Sequence, residues 1–169
     1  MKRKVCLLGA TGVGKTSLAR RLAEGVFEEG LASTIGMAIY RADLRLGDVS
    51  LEMMIWDPGR SGARDQYNRS FISGASGIVF VVDATQPRSL DDLLQAKSTG
   101  RGFVGARPSL LLVNKIDLTD ELALTKQQLD AASRLNWYVA QASAKSGYNV
   151  AEAFERLAKM MLEARKVSA

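Results

Sequence analysis

Residues 9–16 read Gly-Ala-Thr-Gly-Val-Gly-Lys-Thr, with the apolar run Val5 to Leu8 before them and a helical pattern after. The chain must therefore leave a strand, turn sharply and enter a helix here. The spacing Gly9-x-x-x-x-Gly14-Lys15-Thr16 suits a loop that wraps an anion. Glycine lacks a Cβ, so it reaches positive φ and lets successive N–H groups turn toward phosphate oxygens. The positive end of the following helix adds to that attraction. In such a loop Lys15 would neutralise terminal phosphates, while Gly12, Val13, Gly14 and Ser17 line the cradle. The Thr16 hydroxyl would ligate Mg²⁺, a hard cation that prefers oxygen donors. The plainer alternative is a glycine-rich turn that binds nothing. Restricted residues at the other two positions make a chance match roughly a one-percent event.

A chain of 169 residues suggests a single domain over 1–169. At 47% hydrophobic and 24% charged it has the composition of an ordinary globular protein. Its net charge of +5 is spread along the chain, so solvated faces account for it and no nucleic-acid groove is expected. Cys6, in the first apolar strand, reads as a small buried hydrophobe. No apolar stretch reaches the roughly 18 residues that span a bilayer. Lys2 excludes a myristoylation signal, and the tail Arg165-Lys166-Val167-Ser168-Ala169 offers no cysteine to prenylate, so no lipid anchor is expected in this chain. A cytoplasmic location is expected, any membrane anchor being lost, lent by a partner or absent.

Apolar runs alternate with helical patterns, which predicts an α/β fold with a mainly parallel sheet. A first helix is expected from about Lys15 to Glu24, ending at Gly25. Ile39 to Leu46 and Val49 to Trp56 alternate in polarity around Gly47-Asp48, which predicts one antiparallel hairpin. Ile78 to Val82, Leu110 to Val113 and Tyr138 to Ala142 lack a polar face, as parallel strands covered on both sides should. Ser89 with Asp92, and Asn149 with Glu152, resemble capping boxes at helix starts. The last helix carries Val150, Phe154, Leu157, Ala158 and Met161 on one stripe, read as core.

A second chemical signal, Asn114-Lys115-Ile116-Asp117, follows the strand Leu110 to Val113. Ligands in open α/β sheets sit beyond the carboxyl ends of strands, where this motif and the glycine loop both fall. A carboxylate there can accept from the ring N–H and the exocyclic amine of guanine. Adenine offers no such donor pair, and a site built around one can reject its analogue by as much as about 10⁴-fold.

With these residues in view the chain resembles the Ras-like small GTPases, most closely the Rab branch. The matching stretches are GATGVGKT, ASTIG, IWD, VVDATQPRS, NKID and ASAKSGYNVAEAF, in that order. The resemblance implies a P-loop G domain with a six-stranded, mainly parallel sheet, one antiparallel strand and about five helices. It also implies bound GTP or GDP with Mg²⁺, and an exchange factor, an activating protein and effectors on the switch regions. By that resemblance Phe27 packs on the base, and Thr34 binds Mg²⁺ and the γ-phosphate. The 18 positions from Thr16 to Thr34 match the family (34 minus 16). Asp57 would hold Mg²⁺ through water. Asn114, Lys115 and Asp117 would form the guanine pocket with Ser143, Ala144 and Lys145, the Ala144 N–H meeting the guanine oxygen.

The second switch departs from the family's Asp-x-x-Gly-Gln, reading Asp57-Pro58-Gly59-Arg60-Ser61. Aligned without a gap, Arg60 replaces the glycine that senses the γ-phosphate and Ser61 the glutamine that orients the attacking water. A gapped alignment keeps Gly59 as sensor and puts Arg60 in the glutamine's place. Either way the glutamine is missing. The leading expectation is a GTP-hydrolysing switch that is slow without an activating protein. The alternative is a GTP-bound, hydrolysis-deficient scaffold that docks partners on Ile35 to Tyr40 and Trp56; Arg64, Tyr67 and Phe71 could contact a partner or simply pack locally. Another P-loop enzyme, such as an ATPase or small-molecule kinase, is disfavoured by Asp117 and the ASAK stretch.

Overall fold

A computed structural model of the chain describes residues 1–29, 36–59, 69–98, 105–135 and 137–167. Strand β1 (Lys2–Leu8) is central, in a six-stranded sheet of order β2-β3-β1-β4-β5-β6. β2 (Ala38–Leu46) and β3 (Val49–Asp57) form the one antiparallel pair among the described residues, closed by Gly47-Asp48 with Leu46 opposite Val49. Then come β4 (Gly77–Asp83), β5 (Ser109–Asn114) and β6 (Tyr138–Gln141), all parallel. The helices are α1 (Lys15–Glu24), α2 (Arg69–Ile72), α3 (Pro87–Ser98), α4 (Lys126–Ser133) and α5 (Val150–Val167).

The alternation of β1 builds two cores. Val5 and Leu7 face one core with Leu18 of α1 and Phe154 and Leu157 of α5. Cys6 and Leu8 face the other with Ile72, Phe80, Leu90 and Trp137. A fully buried side chain of this size contributes about 1.5–3 kcal/mol, so the doubly covered strands fix the sheet. Burial also pushes the Cys6 thiol up to about 11, in keeping with an inert core residue. All five residues of the expected α5 stripe are buried. No helix among the described residues is long and apolar enough to cross a membrane.

Three local expectations are corrected. Ser89 does not cap α3: the helix begins at Pro87, and the Ser89 hydroxyl accepts from the Asp83 N–H at 3.0 Å and donates to the Gln86 carbonyl at 2.7 Å. Proline suits that first helical position because its missing N–H is not needed there. Asn149 precedes α5 as expected, yet at φ 54 rather than the extended backbone of a capping residue, and its amide donates to the Gln141 carbonyl. β6 is half-covered, with Tyr138 and Gln141 exposed, because it is the sheet's edge strand. A capping box does occur, unforeseen, at α4, where Thr125 and Gln128 satisfy each other's backbone N–H groups.

Candidate functional site

The ends of β1, β3, β4 and β5 deliver Gly9, Asp57, Asp83 and Asn114 to one edge of the sheet. The loop after β1 turns on three glycines of positive φ, Gly9 at 148, Gly12 at 84 and Gly14 at 99. A side chain at Gly9 would put its Cβ 2.2 Å from the Val81 carbonyl oxygen, and one at Gly14 would meet Asn114 Nδ2 at 2.2 Å. Glycine is thus required by close approach as well as by conformation. The Gly14 carbonyl accepts from the Leu18 N–H at 2.9 Å and starts α1.

Lys15 is buried, and its ammonium donates to the Gly9 and Ala10 carbonyls at 2.8 Å each. Burial holds its pKa below the usual lysine range, and the nearby Asp57 carboxylate partly opposes this. An anion brought beside a desolvated ammonium favours its charged form, so the loop gains from a phosphate. Asp57 is fully buried, and one of its oxygens accepts from the Thr16 hydroxyl. The other accepts from the Gly59 N–H at 3.3 Å, which ties the start of the second switch to the same carboxylate. Thr16 and Asp57 together present hard oxygen donors with a single carboxylate. That set fits Mg²⁺, which usually keeps several waters and takes only one or two carboxylates.

Asn114 is buried and bridges two loops. Its Nδ2 donates to the Val13 carbonyl at 3.0 Å, and its Oδ1 accepts from the Ala144 N–H at 3.0 Å. The Ala144 N–H is thus engaged by Asn114 here. Ser143, also buried, donates to Asp117 at 2.6 Å and accepts from the Ser146 N–H at 3.0 Å, which aims the carboxylate. Lys115 sits at φ 68 and places its ammonium 2.6 Å from Asp83 Oδ2, as an ion pair without hydrogen-bond alignment. Asp83 is fully buried, and its other oxygen accepts from the Thr85 N–H and hydroxyl. Lys145 pairs with Glu29 at 2.5 Å; that bond raises its pKa, though both side chains are exposed and such pairs add little stability. Phe27 is half-buried against the α1 and α5 core.

The structure therefore gathers Gly12, Val13, Gly14, Lys15, Thr16, Asp57, Gly59, Asn114, Lys115, Asp117, Ser143, Ala144 and Lys145 at one edge. Ser17 lies in the first turn of α1. Thr34, Ile35, Arg60, Ser61, Arg64 and Tyr67 lie outside the described residues. Phe71 is half-buried and meets Trp56 edge-on at 6.4 Å, with the Lys4 ammonium 3.9 Å from the Trp56 ring centre. Two residues of the site were not singled out from sequence. Asp83 ends a strand, a position that could have flagged it. Arg21 reads as an ordinary wet-face arginine, yet its guanidinium donates to the carbonyls of Ala144 at 2.8 Å, Lys145 at 2.5 Å and Gly25 at 2.8 Å.

Sequence comparison agrees with this geometry. The family model described as Ras family matches residues 4–163. The chain is 33% identical to Ras-related protein Rab-7b of Bos taurus, over 94% of this chain and 82% of the relative. It is 29% identical to Ras-related protein Rab-1 of Theileria annulata, over 94% and 73%. With Ras-related protein Rab-13 of Mesocricetus auratus the identity is 32%, over 94% and 79%.

Proposed function

Since the chain belongs to the Ras family, as a small GTPase of the Rab branch that binds and hydrolyses GTP as a molecular switch, we propose that it does so with Mg²⁺ and is slow unless an activating protein assists. The phosphates lie in the 9–16 loop, where the N–H groups and the Lys15 ammonium meet their charge. Thr16 and Asp57 would hold Mg²⁺, with Thr34 added from the first switch. The ion supplies charge neutralisation at the phosphate oxygens. The guanine base lies against Asp117, Lys115 and the 143–145 turn, with Phe27 at its edge.

Slow hydrolysis rests on one observation, the sequence Asp57-Pro58-Gly59-Arg60-Ser61 where the family carries a glutamine that orients the attacking water. The serine side chain is too short to reach where that amide sits. Exchange factor, activating protein and effectors engage the two switch regions, and the protein works in the cytoplasm, reaching membranes through partners. Single-turnover hydrolysis on GTP-loaded protein tests this reading. Wild type is expected to be slow and Ser61→Gln faster; a wild type as fast as glutamine-bearing relatives refutes it.

A further inference from the structure

We propose that Arg21 is a positioning residue for base recognition, acting through the 143–147 turn; this rests on the reading of that turn as the guanine side of the site. A basic residue in the last turn of a helix is ordinarily explained by the negative end of the helix dipole. One of its bonds fits that explanation, since the Gly25 carbonyl belongs to the left-handed cap of α1. The other two do not. They run to the Ala144 and Lys145 carbonyls, 123 and 124 residues away.

Guanidinium is suited to this because its rigid fork of donors serves several carbonyls at once. Asn114 grips the same turn from the other side through the Ala144 N–H. The peptide groups of Ala144 and Lys145 are thus fixed between β5 and α1. Ser143 leads into that clamp and also aims Asp117, so a loosened turn misplaces the carboxylate that accepts from the guanine exocyclic amine. Because α1 starts from the phosphate loop at Lys15, Arg21 links the phosphate half of the site mechanically to the base half.

The test compares wild type, Arg21→Ala and Arg21→Lys in stopped-flow release of fluorescent GDP and fluorescent inosine diphosphate, which lacks the exocyclic amine. Arg21→Ala is expected to release GDP about tenfold faster, the loss of one to two charge-assisted bonds felt indirectly. Preference for GDP over inosine diphosphate should fall with it. Acceleration of release by a Mg²⁺ chelator should stay as in wild type, because the bonds of Arg21 go to Ala144, Lys145 and Gly25 and not to Thr16 or Asp57. Lysine offers a point charge without the fork, so Arg21→Lys should fall between the two and carries the test if the alanine variant does not fold. Equal acceleration for both nucleotides would reduce Arg21 to a structural support and overturn the inference, as would unchanged GDP release in either variant. A wild type that binds no guanine nucleotide would instead defeat the reading of the site itself.

Discussion

The side-chain amide of Asn114 donates to the Val13 carbonyl at 3.0 Å, joining the end of β5 to the phosphate loop across 101 residues of chain. Its carbonyl oxygen takes the Ala144 N–H, so one buried side chain bridges the 9–16 loop and the 143–145 turn, the proposed phosphate and base halves of the site. Asn114→Ala leaves a buried acceptor and a buried donor unmatched, and each such orphan costs roughly 1–3 kcal/mol. We expect a destabilisation of about 2–6 kcal/mol by denaturant unfolding, together with faster GDP release. Asn114→Asp keeps the acceptor for Ala144 but turns an anionic oxygen toward the Val13 carbonyl, so it should also release GDP faster. If stability falls while release is unchanged, Asn114 supports the fold and does not couple the two halves.

The loop glycines should respond to alanine differently. At Gly9 the new Cβ meets the Val81 carbonyl oxygen at 2.2 Å, a backbone wall inside the sheet that cannot step aside. Gly12 faces open space at φ 84, so only the left-handed conformation opposes a side chain there, by roughly 1–2 kcal/mol. Gly9→Ala is therefore expected to lower the melting temperature more than Gly12→Ala. Gly14→Ala presses on the Asn114 amide at 2.2 Å and should weaken GDP binding beyond its effect on stability. Thermal melts and equilibrium GDP titration of the three variants check the order. Equal melting temperatures for the Gly9 and Gly12 variants would refute the steric argument.

Which parts of this arrangement were legible in the sequence follows from how local each one is. The glycine loop, the Asn114 to Asp117 motif and the hairpin at Gly47-Asp48 were readable because the residues that matter are neighbours. Their spacing states the backbone they require. The Lys15–Glu24 helix was placed correctly for the same reason, and it ends at Gly25 in a left-handed cap. Ser89 misled because a hydroxyl serves as readily inside a turn as at a helix start, and the partner that decides, Asp83, lies behind it on β4. The exposed ends of β6 were invisible because an edge is defined by the absence of a neighbour. Arg21 and Asp83 escaped since their partners are brought in by the sheet order, over 123 residues in one case and from the next strand in the other.

Asp117 offers the most direct test of the base pocket. Ser143 donates to one of its carboxylate oxygens at 2.6 Å, and Ser143 is itself fixed by the Ser146 N–H. In Asp117→Asn the amide oxygen can keep the bond that the Ser143 hydroxyl donates, which favours the amide nitrogen at the position that faces the base. A donor there opposes the guanine N–H and amine but suits the carbonyl that xanthine carries at the amine's position. Affinity for GTP should fall by as much as about 10⁴-fold, the range for a site whose paired hydrogen bond is broken, and xanthosine triphosphate should bind in its place. Competition of the two nucleotides against fluorescent GDP on wild type, and against its xanthosine counterpart on the variant, measures both changes. Adding Ser143→Ala frees the amide to rotate, and the double variant is expected to regain part of its GTP binding. Undiminished GTP affinity in Asp117→Asn would show that the base is held elsewhere.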